Sequence, residues 1–98
     1  MVRRGKLDII ADILRVAQGG HKKTKLVYET NLNFQLLGEY LEILLNKGFI
    51  FQYKKEFYTS DAGFQYLRYY DLLVSLYNGE DYDKPLSSVM SRNVEKSS

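Results

Sequence analysis

The sequence predicts a mainly α-helical α+β domain. Three runs carry apolar residues at helical spacing, an aromatic and β-branched hairpin separates the last two, and 98 residues suffice for one core without staples. Apolar residues make up 45% and charged residues 27%, the balance of a soluble globular chain. With no cysteine, and His21 as the one histidine, neither disulfides nor a thiolate or His-rich metal site is expected. No stretch approaches the roughly 18 apolar residues of a membrane span. Asp8 and Asp12 follow the basic start Arg3-Arg4-Gly5-Lys6 too closely for a signal peptide, so the expectation is a cytoplasmic domain.

The first element runs from about Lys6 to Gln18. Leu7, Ile10, Leu14 and Ala17 recur at helical spacing, and Ile9, Ile13 and Val16 widen the stripe. Asp8, Asp12 and Arg15 share the opposite face, and Gly19-Gly20 stops the helix. The basic loop His21-Lys22-Lys23-Thr24-Lys25 leads into Leu26-Val27-Tyr28-Glu29. Thr24 is the expected N-cap here, although the β-branched and aromatic residues also suit a strand. The polar turn Thr30-Asn31-Leu32-Asn33 decides for a short helix, because a long periodic run starts directly after it.

That run extends from the N-cap Asn33 to Lys47. Phe34, Leu37, Leu41, Leu44 and Leu45 form its apolar stripe; Gln35, Gly38, Glu39, Glu42 and Asn46 face the other way, and Gly48 closes it. Phe49 to Tyr53 and Phe57-Tyr58-Thr59 read as strands around Lys54-Lys55-Glu56, a tip without the Asn-Gly of a tight primed turn. Ser60 caps a last helix that ends at Asn78 before Gly79. This helix has more apolar surface than one partner covers. Phe64, Leu67 and Val74 form one stripe, and Tyr66, Tyr70, Leu73 and Tyr77 form a second, with Leu72 and Leu76 beside it. The second stripe, with Leu76, is the expected dimer seam, unless the tail folds back over it. Residues 79–98, acidic and then serine-rich, read as a flexible tail.

Helix, short helix, turn, longer helix, hairpin, helix is the order of a winged helix-turn-helix. The expected layout is residues 1–59 as that domain, 60–78 as a C-terminal dimerisation helix and 79–98 as the tail. Charge supports a polyanionic partner. Seven Lys/Arg stand against two Asp in residues 1–26, a local charge of +5, whereas 27–60 carry −1 and 61–98 carry −2. Lys6-Leu7-Asp8-Ile9-Ile10, Lys23-Thr24-Lys25, Asn31-Leu32-Asn33-Phe34, Tyr40-Leu41, Gly48-Phe49-Ile50, Tyr58-Thr59 and Gly63 appear in an informative order. Through them the chain resembles the archaeal winged-helix DNA-binding family typified by the small ten-kilodalton chromatin-associated proteins of Sulfolobus. The resemblance covers about residues 5–78. It implies a homodimer paired antiparallel through the last helix and acting on duplex DNA in transcription control or chromosome organisation, hence with the nucleoid. Two departures stand out: Gly79 and Pro85 shorten the final helix, and Glu39 and Glu42 replace basic residues on the third.

The expected partner is double-stranded DNA. Lys22, Lys23, Thr24 and Lys25 would meet phosphates at the start of the second helix, Arg3, Arg4 and Lys6 would form an arm, and Lys54 and Lys55 would reach flanking backbone. Asn33, Gln35 and Glu39 would face the bases, with Gln35 suited to adenine, and Gly38 would permit close approach to the groove. Glu39 can accept from cytosine N4, which favours selective binding over uniform coating. Asn33 serves equally as a cap. Catalysis is not expected: Asp8/Asp12 and Glu39/Glu42 have no nucleophile or base beside them, and Glu80-Asp81-Tyr82-Asp83 lacks the glycine and final Glu of a calcium loop. No cofactor, metal or small-molecule ligand is indicated. The competing expectation, drawn from Glu29, Glu39 and Glu42, is a winged helix used to bind another protein.

Overall fold

Gly5 opens helix α1 (Lys6–Val16) with its N–H donating to the Asp8 carboxylate at 2.8 Å, which satisfies an amide that the helix leaves unpaired. The computed structural model of the chain describes residues 4–79. Arg3 and the expected tail from residue 80 onward lie outside them. Helix α1 buries Ile10, Ala11, Ile13 and Leu14. It ends two residues earlier than periodicity predicts, tightening at Ala17–Gly19 into a 3-10 turn. Leu7, expected on the buried stripe, is exposed and lines an open groove against the last helix.

Helix α2 (Lys23–Thr30) starts after Lys22, which makes no side-chain cap and whose carbonyl accepts from the Lys25 and Leu26 amides. Thr24 makes no cap; the chain is already helical at Lys23, so Thr24 lies exposed in the first turn. At the far end Asn31 takes the left-handed conformation (φ 61°) and Leu32 is buried. Asn33 then accepts from the Leu36 amide at 2.7 Å and starts α3 (Phe34–Lys47), as expected. This three-residue turn sets the second helix of the pair across the first.

Strands β1 (Ile50–Tyr53) and β2 (Glu56–Thr59) pair antiparallel, with Ile50 opposite Thr59 and Tyr53 opposite Glu56. Lys54 and Lys55 alone make the turn, at φ 52° and 75°. Both central residues left-handed is the primed geometry that matches strand twist, and here lysines adopt it instead of Asn-Gly. His21 exchanges two backbone hydrogen bonds with Phe57 (2.8 and 3.2 Å), a third strand reduced to one residue pair. Gly20 (φ 86°) permits that approach, since a Cβ there would stand 2.3 Å from the Tyr58 ring.

Helix α4 (Asp61–Asn78) is capped by Ser60, which accepts from the Gly63 amide at 3.2 Å and donates to the Gly48 carbonyl at 2.6 Å. Leu67 enters the core beside Ile50, Phe57 and the buried leucines of α2 and α3. Ile13, Leu14, Leu26, Leu37 and Leu44 are fully buried, and each contributes on the order of 2 kcal/mol of transfer free energy. Buried Thr30 and Thr59 donate to the Leu26 and Leu14 carbonyls at 2.6 Å. Phe64 and Val74, expected beside Leu67 on a covered stripe, are exposed.

Candidate nucleic-acid interface

The outward stripe of α3 consists of Gln35, Glu39, Glu42 and Asn46, all exposed, as the opposite side of the buried Leu37-Leu41-Leu44 stripe requires. Asn33 sits at its N-terminal end with its side-chain oxygen committed to the cap, so its amide group remains as a donor. On one flank of this stripe stand Phe34 and Gly38, one helical turn apart.

Lys23 reaches across from α2 onto that flank. Its ammonium lies 4.2 Å from the centroid of the Phe34 ring, and a Cβ at Gly38 would come within 3.0 Å of Nζ. The glycine therefore makes room for a cation of the same chain. Lys22, Thr24 and Lys25 are exposed around the start of α2, with Lys25 within 3.6 Å of Glu29. An exposed pair of this kind is weak and leaves the ammonium able to exchange partners. Lys54 and Lys55 are exposed at the wing tip, Lys54 Nζ 5.3 Å from the Tyr53 ring.

The N-terminal arm is placed differently. Arg4 pairs with Asp12 at 2.8 Å and donates to the Thr30 carbonyl at 3.1 Å, tying α1 to the end of α2, while Lys6 is exposed. The acidic face of α1 is likewise engaged. Arg15 pairs with Asp71 of α4, and the Tyr70 hydroxyl donates to Asp8. That bond, with the Gly5 amide, holds Asp8 below the usual carboxylate range, and it pushes Tyr70 up to about 12. The Tyr66 hydroxyl donates to the Leu7 carbonyl at 2.8 Å.

Of the residues expected in the dimer seam, Tyr66 and Tyr70 are thus half-buried against α1, while Leu73, Leu76 and Tyr77 are open, the two leucines 61% and 65% exposed. Ala62, Tyr66, Tyr69, Leu73 and Leu76 follow one another at alternating spacings of four and three along α4. Two apolar grooves of about 400 and 460 Å³ run between this edge and Leu7, with Tyr70 and Leu73 in both.

Sequence reasoning missed Phe34, which periodicity places in the core. It occupies the first turn of α3, and the structure leaves it 53% exposed beneath Lys23. The signal available was its position directly after the cap. His21 was missed because a single bridging pair has no periodicity.

Residues 3–77 match the winged helix-turn-helix family, and the chain belongs to it. It is similar to an uncharacterized protein of the archaeon Methanocaldococcus jannaschii, MJ0287, at 29% identity over 62 residues. The match takes in 62% of this chain and 64% of the relative, just under two thirds of that protein's length. A winged helix-turn-helix domain suggests DNA binding. Among the described residues no helix is long and apolar enough to cross a membrane.

Proposed function

We propose that the chain is a homodimeric regulator of transcription that binds double-stranded DNA, with the N-terminal end of α3 in the major groove and the wing tip on flanking backbone. The observation that carries this reading is the Lys23 ammonium seated against Phe34 and Gly38 on the flank of α3. A cation fixed beside the exposed stripe of the second helix is placed for the groove, where helix-turn-helix proteins insert that element. Lys22 and Lys25 at the start of α2, with Lys54 and Lys55, supply the phosphate contacts, and Gln35 and Glu39 face the bases.

Anisotropy of a labelled random-sequence duplex, titrated at several salt concentrations, tests this. Binding that falls log-linearly with salt is the expected result. Lys22→Ala with Lys25→Ala should weaken every sequence alike and flatten the slope by up to about 1.8 per protomer. Absence of binding at low salt would overturn the reading and favour a protein partner for the acidic stripe of Glu39 and Glu42.

Dimerisation is proposed through the open edge of α4. The alternating four–three spacing from Ala62 to Leu76 suits helix-to-helix packing, and Leu7 beside it extends the apolar surface. Leu73→Glu with Leu76→Glu should halve the mass measured by light scattering and leave the thermal transition cooperative. A wild-type monomer, or a charged variant that stays paired, would refute the seam.

A further inference from the structure

The base-reading end of α3 carries an exposed aromatic ring and a cation fixed together. Phe34 keeps about half its surface open, at 53%, although its spacing with Leu37, Leu41 and Leu44 belongs to a buried stripe. Lys23 covers one face of the ring with Nζ 4.2 Å from the centroid, and the absent side chain at Gly38 leaves the ammonium its space. Asn33 and Gln35 flank the ring in sequence and are both exposed. An apolar surface beside a hydrogen-bond donor is thus presented where bases are read.

In the major groove thymine shows a C5-methyl group next to the O4 acceptor, whereas cytosine shows an N4 donor and no methyl. The ring and the ammonium match thymine at both points, and cytosine would set donor against donor. We propose that Phe34 and Lys23 together form a thymine-binding site, the ring burying the methyl group and the ammonium donating to O4. The inference rests on the DNA-binding reading above and adds a base preference to it.

The test compares full-length protein on two alternating duplexes, dA-dT and dA-dU, which differ only in the methyl groups. Wild type should bind the thymine duplex about fourfold more tightly per methyl contacted, the factor that burying one methyl supplies. Phe34→Ala, a change at an exposed position checked by its melting curve, should bind both duplexes alike, at the strength wild type shows for dA-dU. Equal wild-type affinity for the two duplexes overturns the thymine site and leaves DNA binding standing. A preference that survives in Phe34→Ala also overturns it, by placing the methyl contact elsewhere. Binding to neither duplex at low salt removes the site and the DNA reading together.

Discussion

Gly63→Ala is expected to destabilise the fold by about 3 kcal/mol, against the sign that helix propensity gives. Alanine in an exposed helix exceeds glycine by about 1 kcal/mol, and Gly63 lies in the first turn of α4. The environment reverses this. A Cβ there would stand 2.3 Å from the Phe49 carbonyl oxygen and 2.6 Å from Thr59 Cγ2. Neither neighbour is free to yield: the Phe49 oxygen accepts the Ser60 amide at 3.0 Å, and Thr59 donates to Leu14 from a buried position. Relief would have to come from moving α4 off the sheet, with loss of the Ser60 cap. Overpacking of this kind costs about 1–3 kcal/mol, and the lost cap adds about 1. In a domain this size the melting temperature should fall by roughly 12–24 °C. Gly19→Ala is the control, because nothing lies within 4 Å of its Cβ position and it should melt like wild type. A Gly63→Ala protein as stable as wild type would show that the helix and the Phe49 carbonyl are not in contact.

Lys54→Asn with Lys55→Gly should raise stability and lower DNA affinity in the same molecule. Both lysines are held at positive φ, where an ordinary L residue is strained by about 1 kcal/mol or more, and Asn-Gly is the pair that relaxes in this turn. The gain should be about 1–2 kcal/mol, read as a higher melting temperature. The same change deletes two exposed cations at the wing tip. If they touch phosphate, affinity at moderate salt should drop roughly tenfold or more, and the salt slope should shrink by about 1.8 per protomer. A destabilised variant would contradict the primed turn, and an unchanged slope would remove the wing from the interface. Strain retained at a cationic tip is the pattern expected where function opposes stability.

The helices were legible because each buries a stripe repeated over several turns, as Leu37, Leu41 and Leu44 do on α3, and Asn33, Ser60, Gly48 and Gly79 mark their ends. What escaped has no repeat or runs against local preference. The His21–Phe57 bridge is one residue pair, and a Lys-Lys turn contradicts the residue statistics of primed hairpins. Thr24 looked like a cap by type, but the helix begins two residues too early for it, with Lys22 at the cap position. Phe34 and Leu7 share the period of their stripes and yet lie at the first turn of their helices, where only the Lys23 side chain covers one face of Phe34 and an open groove separates Leu7 from α4. The cations at positions 22, 23, 25, 54 and 55 were legible as charge. That Lys23 bends onto α3 was not, because the contact joins two helices through a glycine.

The stitching of α4 to α1, by Arg15 with Asp71, Tyr70 with Asp8 and Tyr66 with Leu7, has a consequence for how DNA would be measured out. Each tie fixes α4 against the body that carries α3. In a pair joined through α4, the two α3 helices would be locked at one separation and one rotational phase. Inserting about five base pairs between half-sites would turn one of them to the far side of the duplex, and inserting about ten would restore its facing. Asp71→Ala together with Tyr70→Phe would loosen that ruler, and tolerance to spacing should widen while contact with a single half-site persists.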